Sequence, residues 1–346
     1  MSDTSTAIRA TEDKPEFGLG SVNLASPRLG ANIIEVSDDF FGAAERMLND
    51  APPIFFPDRY DDHGKWMDGW ESRRRRQGGH DQCIIQLGAK GVLAGFDLNT
   101  RFFTGNHPPL ASIEGALVDG LPDENTVWTE IVAESDLLAD SQNLFPIDDE
   151  RPFNVLRLNI LPDGGIARFR VWGTPVCEWK RQDPAGYHEL SAIINAGRVV
   201  GYSDAHYGDP WIILTPGRGL NMGDGWETRR RRGPGNDWIV IALGAPGNAR
   251  KIEIDTAHFK GNYPDRCSIQ AAHVGEIGTM ADADIVAASE DWAELMPEQK
   301  LQMDHIHDFE GSAISQIGPI THIRLNIFPD GGVSRVRIFG QLAQED

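Results

Sequence analysis

The chain has 346 residues, of which 40% are apolar and 24% charged, and its formal net charge is −20. These are the proportions of a soluble globular protein of about two domains, and the negative field argues against nucleic acid and anionic membranes as partners. No apolar run approaches the ~18 residues of a membrane span, and the polar opening MSDTSTAIRATEDKPEFGLG lacks the apolar core of a secretion signal.

Residues 1–20 read as a flexible tail, followed by a sequence that is written twice. DGWESRRRR at Asp68–Arg76 returns as DGWETRRRR at Asp224–Arg232, and DQCIIQLG at Asp81–Gly88 returns as DWIVIALG at Asp237–Gly244. LNTRFFTGNHP (Leu98–Pro108) matches IDTAHFKGNYP (Ile254–Pro264), and RLNILPDGGIARFRVWG (Arg157–Gly173) matches RLNIFPDGGVSRVRIFG (Arg324–Gly340). Copies of roughly 150 residues are domains rather than solenoid units. The expected organisation is a first repeat at 21–176, a polar linker at 177–189 containing Pro184 and Gly186, and a second repeat at 190–346.

Within each copy the pattern is that of strands. DWIVIAL is an apolar run of strand length and KIEID alternates strictly. Around Pro-Asp-Gly-Gly two alternating runs predict a hairpin, with Leu325, Ile327, Val336 and Ile338 facing one way and Arg324, Asn326, Arg335 and Arg337 the other. Only ADADIVAASEDWAEL suggests a few accessory helical turns. The fold class expected is all-β: two tandem β-sandwiches produced by internal duplication. The order of an Asp-Gly-Trp loop, a W-I-V-I-A-L-G strand and an I-x-I strand resembles the discoidin-like, galactose-binding jelly roll, whose ligands sit at the loops of one end.

Cys83, Cys177 and Cys267 are odd in number and form no C-x-x-C pair, so they read as small buried hydrophobes in a reducing cytoplasm. The arginine word carries more chemistry. In an extended run Arg73 and Arg75 share one side and Arg74 and Arg76 the other; Arg229 and Arg231 repeat that arrangement. A guanidinium fork suits a small carboxylate, Glu71 and Glu227 upstream suit a proton acceptor, and Trp70 and Trp226 suit the wall of a pocket. The competing reading is an arginine–carboxylate network that joins copies or subunits.

The copies also differ. His258 stands opposite Phe102 and His307 opposite Asn143, and histidine transfers protons near neutral pH; against this, His80 in the first copy faces Asn236 in the second. Asn106 and Asn262 lie on the tight GNHP and GNYP turns. Asp304, His305, His307 and Asp308 leave a divalent metal open without a ligand signature. There is no phosphate loop, dinucleotide fingerprint or nucleophile elbow, and no other cofactor is expected.

The words GWESRRRR, NTRFFTGNHP, MGDGWETRRRR, IDTAHFKGNYPD and HIRLNIFPDGGVSRVRIFG, the last headed by His322, resemble the allantoicase family across about Asn23 to Gly340. The resemblance implies tandem jelly rolls and hydrolysis of allantoate to (S)-ureidoglycolate and urea in purine degradation. On that expectation Arg229 and Arg231 bind the substrate carboxylate, and Glu227, His258 or His307 move protons. Asn262 and Trp226 complete the contacts. Arg73, Arg75, Glu71, Asn106 and Trp70 are the first-copy equivalents, forming a second site or completing the same one. A small-molecule substrate, a cytoplasmic homo-oligomer and no nucleic-acid or membrane partner complete the expectation. The rival is a tandem sugar-binding module, whose sites would display neutral polar groups and exposed aromatics rather than a doubled arginine run.

Overall fold

A computed structural model describes residues 6–183, 185–275 and 280–343. The chain divides into two compact units, Met1–Val176 and Cys177–Asp346. Each is a β-sandwich organised on one strand of 19 residues, Asp81–Asn99 in the first and Asp237–Asp255 in the second. Alternate residues of the leading half, Cys83, Ile85 and Leu87, and Ile239, Ile241 and Leu243, are buried as strand geometry requires.

The two halves of the long strand have different neighbours within one eight-stranded sheet in each unit. Its first half in the first unit lies between Asn32–Val36 and Pro152–Leu161; the latter pairs with Leu110–Ala116, which pairs in turn with Thr129–Asp136. Its second half lies between Gln142–Pro146 and Arg168–Pro175. The second unit repeats this, with Arg198–Tyr202 and Ile320–Phe328 on the first half and Ile306–Glu310 and Arg335–Leu342 on the second.

This arrangement corrects the predicted hairpin. The runs flanking Pro-Asp-Gly-Gly do not pair with each other but with opposite halves of the long strand, so the turn carries the chain across that strand. Leu325, Ile327, Val336 and Ile338 are buried, as their alternation predicts, and so are the polar residues between them. Arg335 forms a buried ion pair with Asp224 at 3.1 Å, and Arg168 does the same with Asp68 at 2.6 Å. The Asp of each Asp-Gly-Trp word is thereby tied to the strand that follows its Pro-Asp-Gly-Gly.

Two other expectations change. Residues 6–20 are not a loose tail: Ile8–Arg9 pairs with Ile54–Phe55, Glu12 forms an ion pair with Arg170 at 2.9 Å, and Gln142 bonds the Asp13 backbone. The expected linker 177–189 contributes His188–Glu189 as a strand beside Phe339–Gly340; Pro184 lies outside the described residues. The expected helical stretch is a helix at Asp282–Ala288, tied to Arg198 by Asp282, after which Ala293–Lys300 is a strand. No described helix is long and apolar enough to cross a membrane.

Candidate active site

The words shared by the copies converge at one end of each sandwich. Trp70–Glu71 pairs with Gly165–Ile166, and Trp226–Glu227 with Gly332–Val333. The backbone carbonyls of Asn106 and Asn262 accept hydrogen bonds from Gly165 N (2.8 Å) and Gly332 N (2.7 Å). Gly164 and Gly331 take φ of 144° and 138°, and a Cβ there would stand 2.5 and 2.6 Å from the nitrogens of Pro108 and Pro264. Glycine is thus required for the turn to touch the Gly-Asn-x-Pro loop.

Within this junction Asn106 Nδ2 donates to Glu71 Oε1 at 2.7 Å, and Asn262 Nδ2 to Glu227 Oε1 at 2.6 Å. The two residues of each pair lie 35 positions apart in the sequence, and the fold makes one carboxylate–amide unit of them in each repeat. Burial pushes the Glu71 carboxyl above its usual range, with the Asn106 hydrogen bond opposing.

The arginine words are held by aspartates. Arg73 N donates to Asp38 Oδ1 at 2.9 Å and Arg75 N to Asp163 Oδ2 at 2.7 Å; Arg229 N and Arg231 N donate to Asp204 and Asp330 at 2.7 and 2.8 Å. The Arg73 guanidinium takes Asp38 Oδ2 with two nitrogens, at 2.7 and 2.6 Å, and Arg75 takes Asp81 at 2.8 Å. Burial raises the Asp38 carboxyl, but the Arg73 hydrogen bonds outweigh it and the group lies below its usual range. In the second repeat Arg231 pairs with Asp237, whereas Arg229 Nε donates to His206 Nδ1 at 3.3 Å with Asp204 3.9 Å away. Arg74 reaches only to 3.5 Å from Asp163. Among the described residues Arg76, Arg230 and Arg232 have no carboxylate partner. The words line open clefts of about 730 Å³ and 280 Å³, and their arginine–aspartate pairs lie within a single repeat rather than joining copies.

Two expectations are displaced. Trp70 and Trp226 wall no pocket: both are fully buried, and each Nε1 donates at 2.8 Å to the carbonyl of Asp38 or Asp204, holding the loop that carries the aspartate. His307 is buried with both ring nitrogens engaged, by Gln302 N and the Ile254 carbonyl, so it has no free position for proton transfer. Burial also lowers its pKa. Asp304 and Asp308 are occupied by His258 N and Lys251, and no group of three metal-ligating residues occurs among the described residues. His258 remains half-buried, with Nε2 on the Gly219 carbonyl at 2.8 Å. Sequence reasoning missed Asp38 and Asp204; the Ser-Asp step at 37–38 and 203–204, present in both copies, was their signal.

Comparison with known proteins matches the family model "Allantoicase repeat" to residues 22–176 and 188–343. A protein of Burkholderia mallei named "Probable allantoicase 1" is 55% identical over 95% of this chain and 96% of its own length. A "Probable allantoicase" of Pseudomonas aeruginosa is 54% identical over 92% and 96%. The crystal structure of allantoicase from Saccharomyces cerevisiae superposes with a TM-score of 0.76 at 32% identity, covering 97% of this chain and all of that one.

Proposed function

The chain belongs to the allantoicase family, and we propose that it hydrolyses allantoate to (S)-ureidoglycolate and urea beside the Glu227–Asn262 pair, with the arginine cleft at 229–232 taking the substrate carboxylate. One observation supports this placement above others: a carboxylate–amide pair stands two residues before a run of arginines in which some guanidiniums have no carboxylate partner among the described residues.

Allantoate carries a carboxylate and two ureido groups on one carbon. Hydrolysis breaks one carbon–nitrogen bond, forms a carbon–oxygen bond to water, and leaves a proton on the departing urea nitrogen. The lone pair of the remaining ureido nitrogen assists the departure, giving an imine-like species to which water adds. A guanidinium fixes the carboxylate so that the scissile bond meets the acid–base groups in register. Glu227 accepts the proton of the attacking water, and Asn262, donating to Glu227, holds that carboxylate in place while its remaining amide groups meet a ureido group. His258 is a further titratable group, on the turn that leads into the Gly-Asn-Tyr-Pro loop.

Urea release from allantoate by the purified protein tests the activity, and loss of that release in Glu227→Gln tests the placement. Full turnover in Glu227→Gln would remove Glu227 from the chemistry. Cys83 and Cys267 are fully buried thiols outside any disulfide, which supports a reducing cytoplasm. Exposed Leu117, Leu121 and Val127 support assembly with further copies, which sedimentation would read directly.

A further inference from the structure

The two repeats present the same backbone junction with different surroundings. The first repeat has a longer stretch before its Asp-Gly-Trp word, and the extra residues build the small hairpin Tyr60–Asp61 with Gly64–Lys65. From this stretch the His63 ring stands 4.4 Å from Phe40, over which Arg73 lies at 5.1 Å, and Phe55 stacks on Phe102 at 5.5 Å. The first repeat thus lines its junction with aromatic rings, His63 and Phe55 of the longer stretch packing on Phe40 and Phe102.

In the second repeat the shorter stretch Gly217–Asp224 carries no aromatic residue. The positions of Phe40 and Phe102 are taken by His206 and His258. Phe102 and His258 share an uncommon backbone, φ 71° and 72°, and their nitrogens bond the matching Asp140 and Asp304, so the substitution changes the ring and not the fold. Tyr207, whose backbone bridges Glu227, and Met222, whose sulfur lies 4.0 Å from Asn262 Nδ2, are 60% and 49% exposed. His258 Nδ1 has no hydrogen-bond partner among the described residues. Arg229 rests on an imidazole nitrogen, whereas Arg73 is clamped by two bonds to one carboxylate oxygen. An incoming carboxylate displaces the first contact far more readily than the second.

We propose that the repeats divide the work: hydrolysis is confined to the second repeat, where His258 carries the proton to the departing urea nitrogen, and the first repeat's cleft, with Arg73 and Arg75 closed on their own aspartates, binds allantoate through Arg74 and Arg76 without turning it over. The inference rests on the reading of Glu227 above. The step balances within the site. The carbon–nitrogen bond breaks as His258 protonates the nitrogen, water oxygen bonds the carbon, and Glu227 takes the water proton, which returns to the imidazole through solvent. The first repeat has a phenyl ring where that imidazole stands. Its larger cleft does not weigh against this, since both clefts are open and volume alone supplies no proton.

The experiment is steady-state urea release by the intact chain carrying Glu227→Gln, and separately His258→Phe, which writes the first repeat's residue into the second. The prediction is a residual kcat of about 1% or less in Glu227→Gln, and a loss on the order of 10²-fold in His258→Phe, the usual scale for a lost acid–base group. Calorimetric titration of Glu227→Gln with allantoate is expected to count two bound molecules per chain. Retention of about half the activity in either variant overturns the division while leaving the reading of Glu227 intact. Full activity in Glu227→Gln overturns both. A count of one molecule per chain overturns the first-repeat site. Glutamine is isosteric with glutamate and still accepts from Asn262, so a wild-type thermal transition is expected, and His258→Phe tests the division independently of that variant.

Discussion

Asn143 and His307 do the same job in their two repeats. Asn143 Oδ1 accepts from Leu138 N at 2.8 Å and its Nδ2 donates to the Leu98 carbonyl at 2.9 Å. His307 Nε2 accepts from Gln302 N at 2.8 Å and its Nδ1 lies 3.0 Å from the Ile254 carbonyl. Leu138 corresponds to Gln302 and Leu98 to Ile254, so an imidazole has replaced a carboxamide as a bridge between a turn and the long strand. His307→Asn is expected to keep both bonds, and therefore stability and turnover. His307→Ala leaves a buried donor and acceptor unmade, a loss of about 1–3 kcal/mol, which urea denaturation measures. A drop in kcat for His307→Asn with the folding midpoint unchanged would return His307 to the chemistry.

The buried pair of Arg335 with Asp224 makes a sharper demand on stability. Neither group reaches solvent, and Arg335 also donates to the Asp224 and Ser334 carbonyls. Asp224→Ala strands a buried cation, which costs about 3–5 kcal/mol. The expected result is a lowered unfolding midpoint in the second repeat, and Asp68→Ala should do the same in the first through Arg168. Unchanged midpoints would show that water reaches these guanidiniums.

Asp97 gives the stability a pH dependence. Burial pushes its carboxyl up to about 7, partly opposed by the hydrogen bond from Gln142, and its Oδ1 has no partner among the described residues. The folded state therefore holds this proton more tightly than the unfolded state does. The associated stability is present below the unfolded carboxyl range, near pH 4, and is lost as pH rises through about 7. Asp97→Asn, neutral at every pH, should stabilise the protein relative to wild type at pH 8, by a few kcal/mol at most. The gain should vanish near pH 4. A pH-independent difference would contradict the assignment.

Much of the architecture was legible because duplication marks itself: two copies of each word locate the strands, the turns and the end at which loops gather. What sequence could not show was pairing between distant partners. Alternation around Pro-Asp-Gly-Gly correctly sorted Leu325 and Ile327 from Arg324 and Asn326, but it looks the same whether the flanking strands pair together or join a third. Trp70 read as a pocket wall because it stands just before the arginine run, yet only the fold shows its indole under the loop of Asp38. The histidine asymmetry was real; that His258 faces an open loop and His307 a closed turn depends on backbone contacts 39 and 53 residues away in sequence.

Arg229 is held more weakly than its first-repeat counterpart Arg73, and its removal should be felt in binding before chemistry. Its backbone nitrogen is fixed by Asp204 Oδ2 at 2.7 Å, so the loop keeps its course when the side chain is cut. Truncation at Arg229→Ala should therefore spare the fold and remove one charge-assisted contact to the substrate carboxylate, worth about 1.5–3 kcal/mol. That corresponds to a KM rise of roughly 10- to 100-fold with kcat changed much less. Arg229→Lys keeps the charge without the fork and should recover only part of the affinity. Because the contact is an exposed ion pair with a small anion, added salt should raise the wild-type KM as well, and should raise that of Arg229→Ala less steeply. A loss of kcat without a change in KM would place Arg229 at the reacting carbon instead of the carboxylate.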